Sequence, residues 1–176
     1  MMSFNKYIDE KVKIYKINPK EIIFDDSIRG YCIENKCGRY NNNFMCPPII
    51  GSVEKYKKTI KSYNDGYLIL FKDIIEDSNT YKYYNSQKRL HEIVLEIENE
   101  LIKEGYIEPL GFIAGECKIC KPCKREKGYD ECIYPDKART SLEAVGVNVV
   151  KTVKTKGIEI VFGTNEITWI GAVLIK

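Results

Sequence analysis

The residues of this 176-residue chain whose types and spacing could do chemistry are seven cysteines, set beside a single histidine. Four of them stand together. Cys117, Cys120 and Cys123 form C-x2-C-x2-C, and Cys132 follows, with Pro135 three residues beyond it. Two residues between successive thiolates let a tight loop wrap three corners of a cubane while backbone amides turn toward the sulfurs. The fourth corner tolerates a looser position, which Cys132 supplies. This set predicts one [4Fe–4S] cluster. Zinc is the alternative cofactor. It usually takes two C-x2-4-C pairs well apart in sequence, so a third cysteine at the same tight interval is harder to place on one tetrahedral ion.

Lys118, Lys121, Lys124, Arg125 and Lys127 interleave with these ligands. Four thiolates around an oxidised cubane leave a net charge of about −2, so nearby cations stabilise it and raise its potential. The same cations could dock an acidic redox partner protein, because complementary charge speeds encounter. A solvated lysine-rich loop is an equally good reading.

The other three cysteines lie near the N-terminus as Cys32, Cys37 and Cys46, followed at once by Pro47 and Pro48. Pro47 forces Cys46 into an extended conformation, and the two prolines should carry the chain away stiffly. Three thiolates could hold a second [4Fe–4S] cluster with one iron left open. That would make the chain an enzyme of sulfur transfer, reduction or dehydration rather than a carrier. Against this, free cysteines often only pack in cores. Arg39 and Tyr40 could position an anionic substrate or be ordinary surface residues. His91 reads as a surface or half-buried residue rather than a ligand. No Ser/His/Asp triad, P-loop or G-x-G-x-x-G pattern is present, so catalytic residues stay unassigned.

The elements that must position these groups alternate. Glu21 to Phe24 is a short strand candidate. From Ser52, a natural N-cap, Val53, Tyr56, Ile60 and Tyr63 recur at helical spacing until the turn signal Asn64-Asp65-Gly66. Tyr67 to Phe71 then reads as a buried strand. A long helix spans about Thr80 to Glu104, with Leu90, Val94, Ile97 and Leu101 on one face and Gly105 as its C-cap. Leu110 to Gly115 is a strand running into the cysteine cluster. Thr140-Ser141-Leu142-Glu143 has the capping-box pattern. It predicts a helix through Leu142, Val145, Val149 and Val153 to Gly157, with a strand over residues 145–153 as the alternative. Ile167 to Ile175 closes the chain as a strand. The expectation is one α/β (α+β) domain over residues 1–176, a small mixed sheet packed with helices and two cysteine-rich metal-binding loops.

Bulk properties agree. The length suits one core that buries about 70% of the unfolded surface. No stretch approaches the about 18 apolar residues of a membrane helix, and charges interrupt the N-terminus where a signal peptide would be apolar. A cytoplasmic protein with no membrane role is expected, and many cysteines in a reducing compartment favour metal over disulfides. The net charge of +3 is too mild to argue for nucleic acid, and no basic–aromatic stripe supports it.

Together the two segments resemble a prokaryotic family of predicted metal-binding proteins (domain of unknown function 2284). The residues that carry the resemblance are Ile28-Arg29, Cys32, Cys37, Tyr40 and Cys46-Pro47-Pro48, then Gly115, Cys117, Cys120, Cys123, Cys132 and Pro135, and finally Ala138 through Val149. It runs from about residue 20 to the C-terminus. The family's last block reads Arg-Pro-Ser-Met-Glu-Ala-Cys-Gly-Ile-Asp-Val. Thr140, Leu142, Val145 and Asn148 here replace its Pro, Met, Cys and Asp. The resemblance implies metal binding, through an iron–sulfur cluster, and imports no reaction. The lost cysteine implies either that it is not an essential ligand or that this member has shed a function. The leading function is an electron carrier or redox accessory protein, with the open-iron enzyme and a zinc-stabilised interaction domain as alternatives.

Overall fold

The computed structural model describes residues 4–74, 80–160 and 165–176. Four strands, β1 (Val12–Ile17), β2 (Asp65–Ile74), β3 (Leu110–Phe112) and β4 (Glu166–Ile175), form one sheet in the order β1-β2-β4-β3. Among the described residues four helices accompany them: α1 (Asp26–Ile33), α2 (Val53–Lys61), α3 (Thr80–Lys103) and α4 (Val149–Lys154). The α+β domain with a small helix-packed sheet is as expected, but neighbouring strands are antiparallel throughout. The reason is topological. β2 and β3 both run against β4 and therefore parallel to each other, joined by the crossover helix α3. β4 inserts between them, which makes a split βαβ unit whose parallel strands never touch. Among the described residues, the isolated bridge between Ile113 and Ser141 is the one parallel pairing.

The period of two along the strands gives the sheet two apolar faces. Ile69 and Phe71 of β2 and Trp169 and Val173 of β4 lie on one face, beneath Leu90, Val94, Ile97 and Leu101 of α3. Leu68 and Leu70, with Ile170, Ala172 and Leu174, face the other way onto Ile60 of α2, Val149 and Val153 of α4, and the turns carrying Leu142, Val145 and Val147. The sheet is thus covered on both sides.

Local signals set several boundaries. Ser52 Oγ accepts from Lys55 N at 3.2 Å and starts α2. Past the end of α3, Gly105 N donates to Ile102 O and Tyr106 N to Leu101 O, both at 3.0 Å. Tyr67–Phe71 and Ile167–Ile175 lie within β2 and β4. Two expectations are overturned. Glu21–Phe24 is not a strand: Pro19–Glu21 is a 3-10 turn capped by Asn18, and only Phe24 pairs, with Val147. The first strand lies upstream at β1, where Val12 and Ile14 pack on the α3 face and Tyr15 and Ile17 on the other. The second correction concerns residues 141–147. Ser141 Oγ does accept from Ala144 N at 3.2 Å, but Gly146 at φ +89° ends the turn before a helix can propagate. α4 begins afresh behind Asn148, whose Oδ1 accepts from Lys151 N at 3.0 Å. Among the described residues, no helix is long and apolar enough to cross a membrane.

One buried ion pair ties α3 to the far edge of the sheet. Glu98, 4% exposed, accepts from Gly111 N at 2.8 Å and from Arg139 Nε at 3.0–3.1 Å. Burial pushes its carboxyl up, while Arg139 and the Gly111 amide oppose that shift. Removing one partner leaves an uncompensated group, so Glu98→Ala is expected to cost about 3–5 kcal/mol in a urea titration.

Candidate metal centre

The segment bearing Cys117 to Cys132 leaves β3 and is held at both ends by polar side chains of α3. At its start, Gly115 adopts φ +64° and passes so near α3 that a Cβ there would stand 2.2 Å from Gln87 Nε2. Gln87 Nε2 donates to Ala114 O at 2.6 Å and Glu116 O at 3.3 Å. At the far end, His91 Nε2–H donates to Lys137 O at 3.0 Å, and Arg139 closes on Glu98. His91 is 6% exposed, so it is more buried than its sequence position suggested. It is a clamp, and among the described residues it belongs to no group of three or more metal-donor side chains.

Between these clamps the four sulfurs are free and partly buried. The backbone amides of Ile119 and Arg139 lie toward the Cys117 thiol, and that of Lys124 toward Cys120. Burial pushes both thiols up, and so do the neighbouring thiols Cys123 and Cys132, while these amides hold them down. Amide donors of this kind stabilise a thiolate bound to metal. Cys117, Cys120 and Cys123 border a cavity of about 300 Å³ whose other walls include Arg39, Lys118 and Lys121.

The interleaved cations do not form a free patch. Lys118 is turned inward, its side chain 9% exposed and 3.6 Å from Glu116. Arg125 Nε donates to Asn41 O at 3.4 Å and its guanidinium lies over Phe44, while Lys124 lies over the Tyr129 ring. Lys121 and Lys127 are exposed.

The N-terminal cysteines are placed differently from expectation. Cys32 lies on α1 rather than in a loop, behind the N-cap Asp25. Ser27, Asn148 and Lys151 hold the Asp25 carboxyl down to about 2. Cys37 is exposed in the turn that follows α1. Cys46 is buried, and desolvation, then the neighbouring Cys37 and Cys32, push its thiol up to about 12. The chain does not run stiffly away from it. Asn41 N reaches Pro47 O at 2.8 Å, and Ile49 N reaches Cys46 O at 3.2 Å, so the segment folds back around Cys46.

The two cysteine segments meet. Asn43, 2% exposed, donates from Nδ2 to Cys117 O at 2.9 Å. Arg39 pairs with Glu126 and lies 3.7 Å from Glu116. Arg39 is therefore engaged with two carboxylates rather than free to receive an anionic substrate. Sequence reasoning missed Gln87, Glu98 and Asn43. The first two were legible as polar interruptions on the apolar face of α3, four residues before His91 and seven after it. Asn43 carried no signal.

Among the described residues, no three His, Cys, Asp or Glu side chains are gathered so as to hold a single ion. Four thiols lie along one clamped segment, and the buried Cys46 lies near Cys117. A family model covers residues 15–175 of this arrangement. The chain belongs to the predicted metal-binding protein family (domain of unknown function 2284). No curated protein and no solved structure matches it. Two departures from the family's last block now have a structural context. Val145, where the family carries Cys, is fully buried among apolar side chains of the α2–α4 layer. Asn148, where it carries Asp, donates from Nδ2 to Asp25 Oδ2 at 3.2 Å, and an Asp there would set two carboxylates together.

His91 generates a pH prediction. Burial lowers its pKa, more than the Lys137 carbonyl raises it, so protonation favours the unfolded chain. Its stabilising contribution is complete above about pH 6.5 and is lost as pH falls from there toward the lowered folded value. Urea midpoints should drop over that window, and His91→Gln should flatten the slope. An equal slope in the variant would assign it to other groups.

Proposed function

We propose that Cys117, Cys120, Cys123 and Cys132 hold a [4Fe–4S] cluster and that the protein transfers electrons in the cytoplasm, as a carrier or as redox support for another protein. What supports this reading is the C-x2-C-x2-C set with Cys132 on one segment clamped by α3, three of its thiols bordering a single cavity. A bound cluster would supply one-electron redox chemistry. The chain's own residues would set its environment. Ile119, Arg139 and Lys124 amides would spread thiolate charge, and Lys121 at the adjoining cavity would offset part of the centre's negative charge, since Arg39 and Lys118 there are paired with Glu116 and Glu126.

An acidic redox partner finds limited support. Residues 116–137 carry six basic and five acidic side chains, so their long-range field is weak. Such a partner would meet Lys121 and Lys127. Zinc on the same thiols, giving an interaction domain without redox chemistry, is kept distinct by assay rather than by any contact.

A specific arrangement favours the second reading, an enzyme with a further centre on Cys32, Cys37 and Cys46. The segment carrying Cys46 is bonded to the Cys117 carbonyl through Asn43, and the Cys46 thiol is raised in part by Glu116 and Cys117. A second centre there would lie beside the first, placed to exchange electrons with it.

Anaerobic purification with iron, sulfide and zinc quantified per chain separates these readings. About four irons with matching sulfide support one cluster, about eight support two, and zinc without sulfide overturns both. Cys46→Ser then bears on the second centre. It should lower iron content and alter the electron paramagnetic resonance spectrum, and unchanged spectra would remove that centre.

A further inference from the structure

A second, larger cavity of about 580 Å³ lies between α1, α4 and β4 and touches the start of the clamped segment at Ala114 and Gly115. Its walls are mostly apolar, with Val147, Trp169 and Ile170 among them, and Cys32, Cys37 and Glu143 also border it. This is the size and character of a small-molecule site, apolar with few polar groups.

Glu143 is the unexplained member. One side of its carboxyl has the Ser141 hydroxyl and its own amide near it. Oε2, in contrast, is buried and has no hydrogen-bond partner among the described residues. Burial pushes this carboxyl up against the pull of those two donors. Ionised, Oε2 is an acceptor without a donor; protonated, it is a donor without an acceptor. A buried polar atom left unpaired costs about 1–3 kcal/mol. An unpaired carboxyl oxygen beside a cavity can be satisfied by a polar group that enters the cavity. The terminal carboxyl torsion of Glu is soft, so Oε2 can turn to meet a group delivered there.

We propose that this chamber binds a small, largely apolar N-heterocycle that pairs with Glu143 and lies against Cys32 and Cys37. An azole ring fits the requirement. It offers an N–H and an unprotonated ring nitrogen, so it matches the carboxyl in either protonation state. Its apolar body matches the walls. The site stands on Glu143 and the cavity, independently of which metal the other cysteines hold.

The test uses the full chain, purified anaerobically with its metal and titrated with benzimidazole. Trp169 is the sole tryptophan and lines the chamber, so its fluorescence reports occupancy. A saturable change is expected, weakened about tenfold or more by Glu143→Leu or by replacing the probe with indane, which has the shape without the nitrogens. Glu143→Leu should melt at or above the parent temperature, because it removes an unpaired buried carboxyl. Val150→Phe, on the α4 wall, should weaken binding while leaving Glu143 in place. No saturable change, equal affinity in either variant, or a Glu143→Leu protein that loses stability and iron together would overturn the proposal. Iron and sulfide measured on the same sample separate the two readings. Glu143-dependent binding to a chain without iron sinks the cluster and leaves the chamber standing.

Discussion

The structure depends on a polar face set into an otherwise apolar helix. α3 presents Leu90, Val94, Ile97 and Leu101 to the sheet, all fully buried. Gln87, His91 and Glu98 are nearly as buried, yet each is spent on the segment that carries Cys117 to Cys132. That segment buries little apolar surface of its own, and most of residues 121–137 are exposed. Hydrogen bonds from a rigid helix therefore fix its path where packing does not. In a dry environment such bonds hold position firmly, because breaking one strands a desolvated partner.

This clamp orients as well as anchors. Arg139 is held by Glu98 through its side chain, and its backbone N–H is one of the two amides at the Cys117 thiol. Gln87 holds the carbonyls on either side of Gly115, two residues before Cys117. The split βαβ topology makes this possible. With β4 between β2 and β3, α3 crosses the sheet diagonally and reaches both β3, where the segment begins, and Arg139, where it ends. A sheet with β2 and β3 adjacent would shorten that crossing.

The elements legible in sequence are those whose signals are local and redundant. Ser52, Gly105 and the apolar spacing from Leu90 to Leu101 each agree with their neighbours, and those boundaries hold. Residues 141–147 misled because two local signals conflict: Ser141 starts a turn that Gly146 ends, and the pairing of Val147 with Phe24 decides the outcome from a distance. The same pairing explains Glu21–Phe24, whose apolar run meets one bridge rather than a ladder. β1 was readable by its alternation of Val12, Ile14 and the intervening lysine. For the candidate site, the cysteine spacing was explicit, but contact between the two segments was not. Asn43 and Arg39 reach partners 74 and 87 residues away, and no local pattern encodes such a meeting.

That contact bears on whether the chain is a carrier or an enzyme. A carrier needs one centre near the surface, and the clamped segment provides for it alone. The remaining architecture is superfluous to that task. Cys46 is buried beside Cys117 with its thiol pushed up, its segment is folded back on itself, and Cys32 and Cys37 border an apolar chamber that keeps an unpaired carboxyl. The unpaired Glu143 oxygen costs stability where it stands, whereas the neutral Cys46 thiol packs as a small apolar group. Read outward from Cys117, the order is clamped thiols, buried thiol, rim thiols, chamber. If the thiols hold the centres proposed above, that order would give a substrate in the chamber a route to electrons arriving at the surface, which is the physical ground for setting an enzymatic reading beside the carrier.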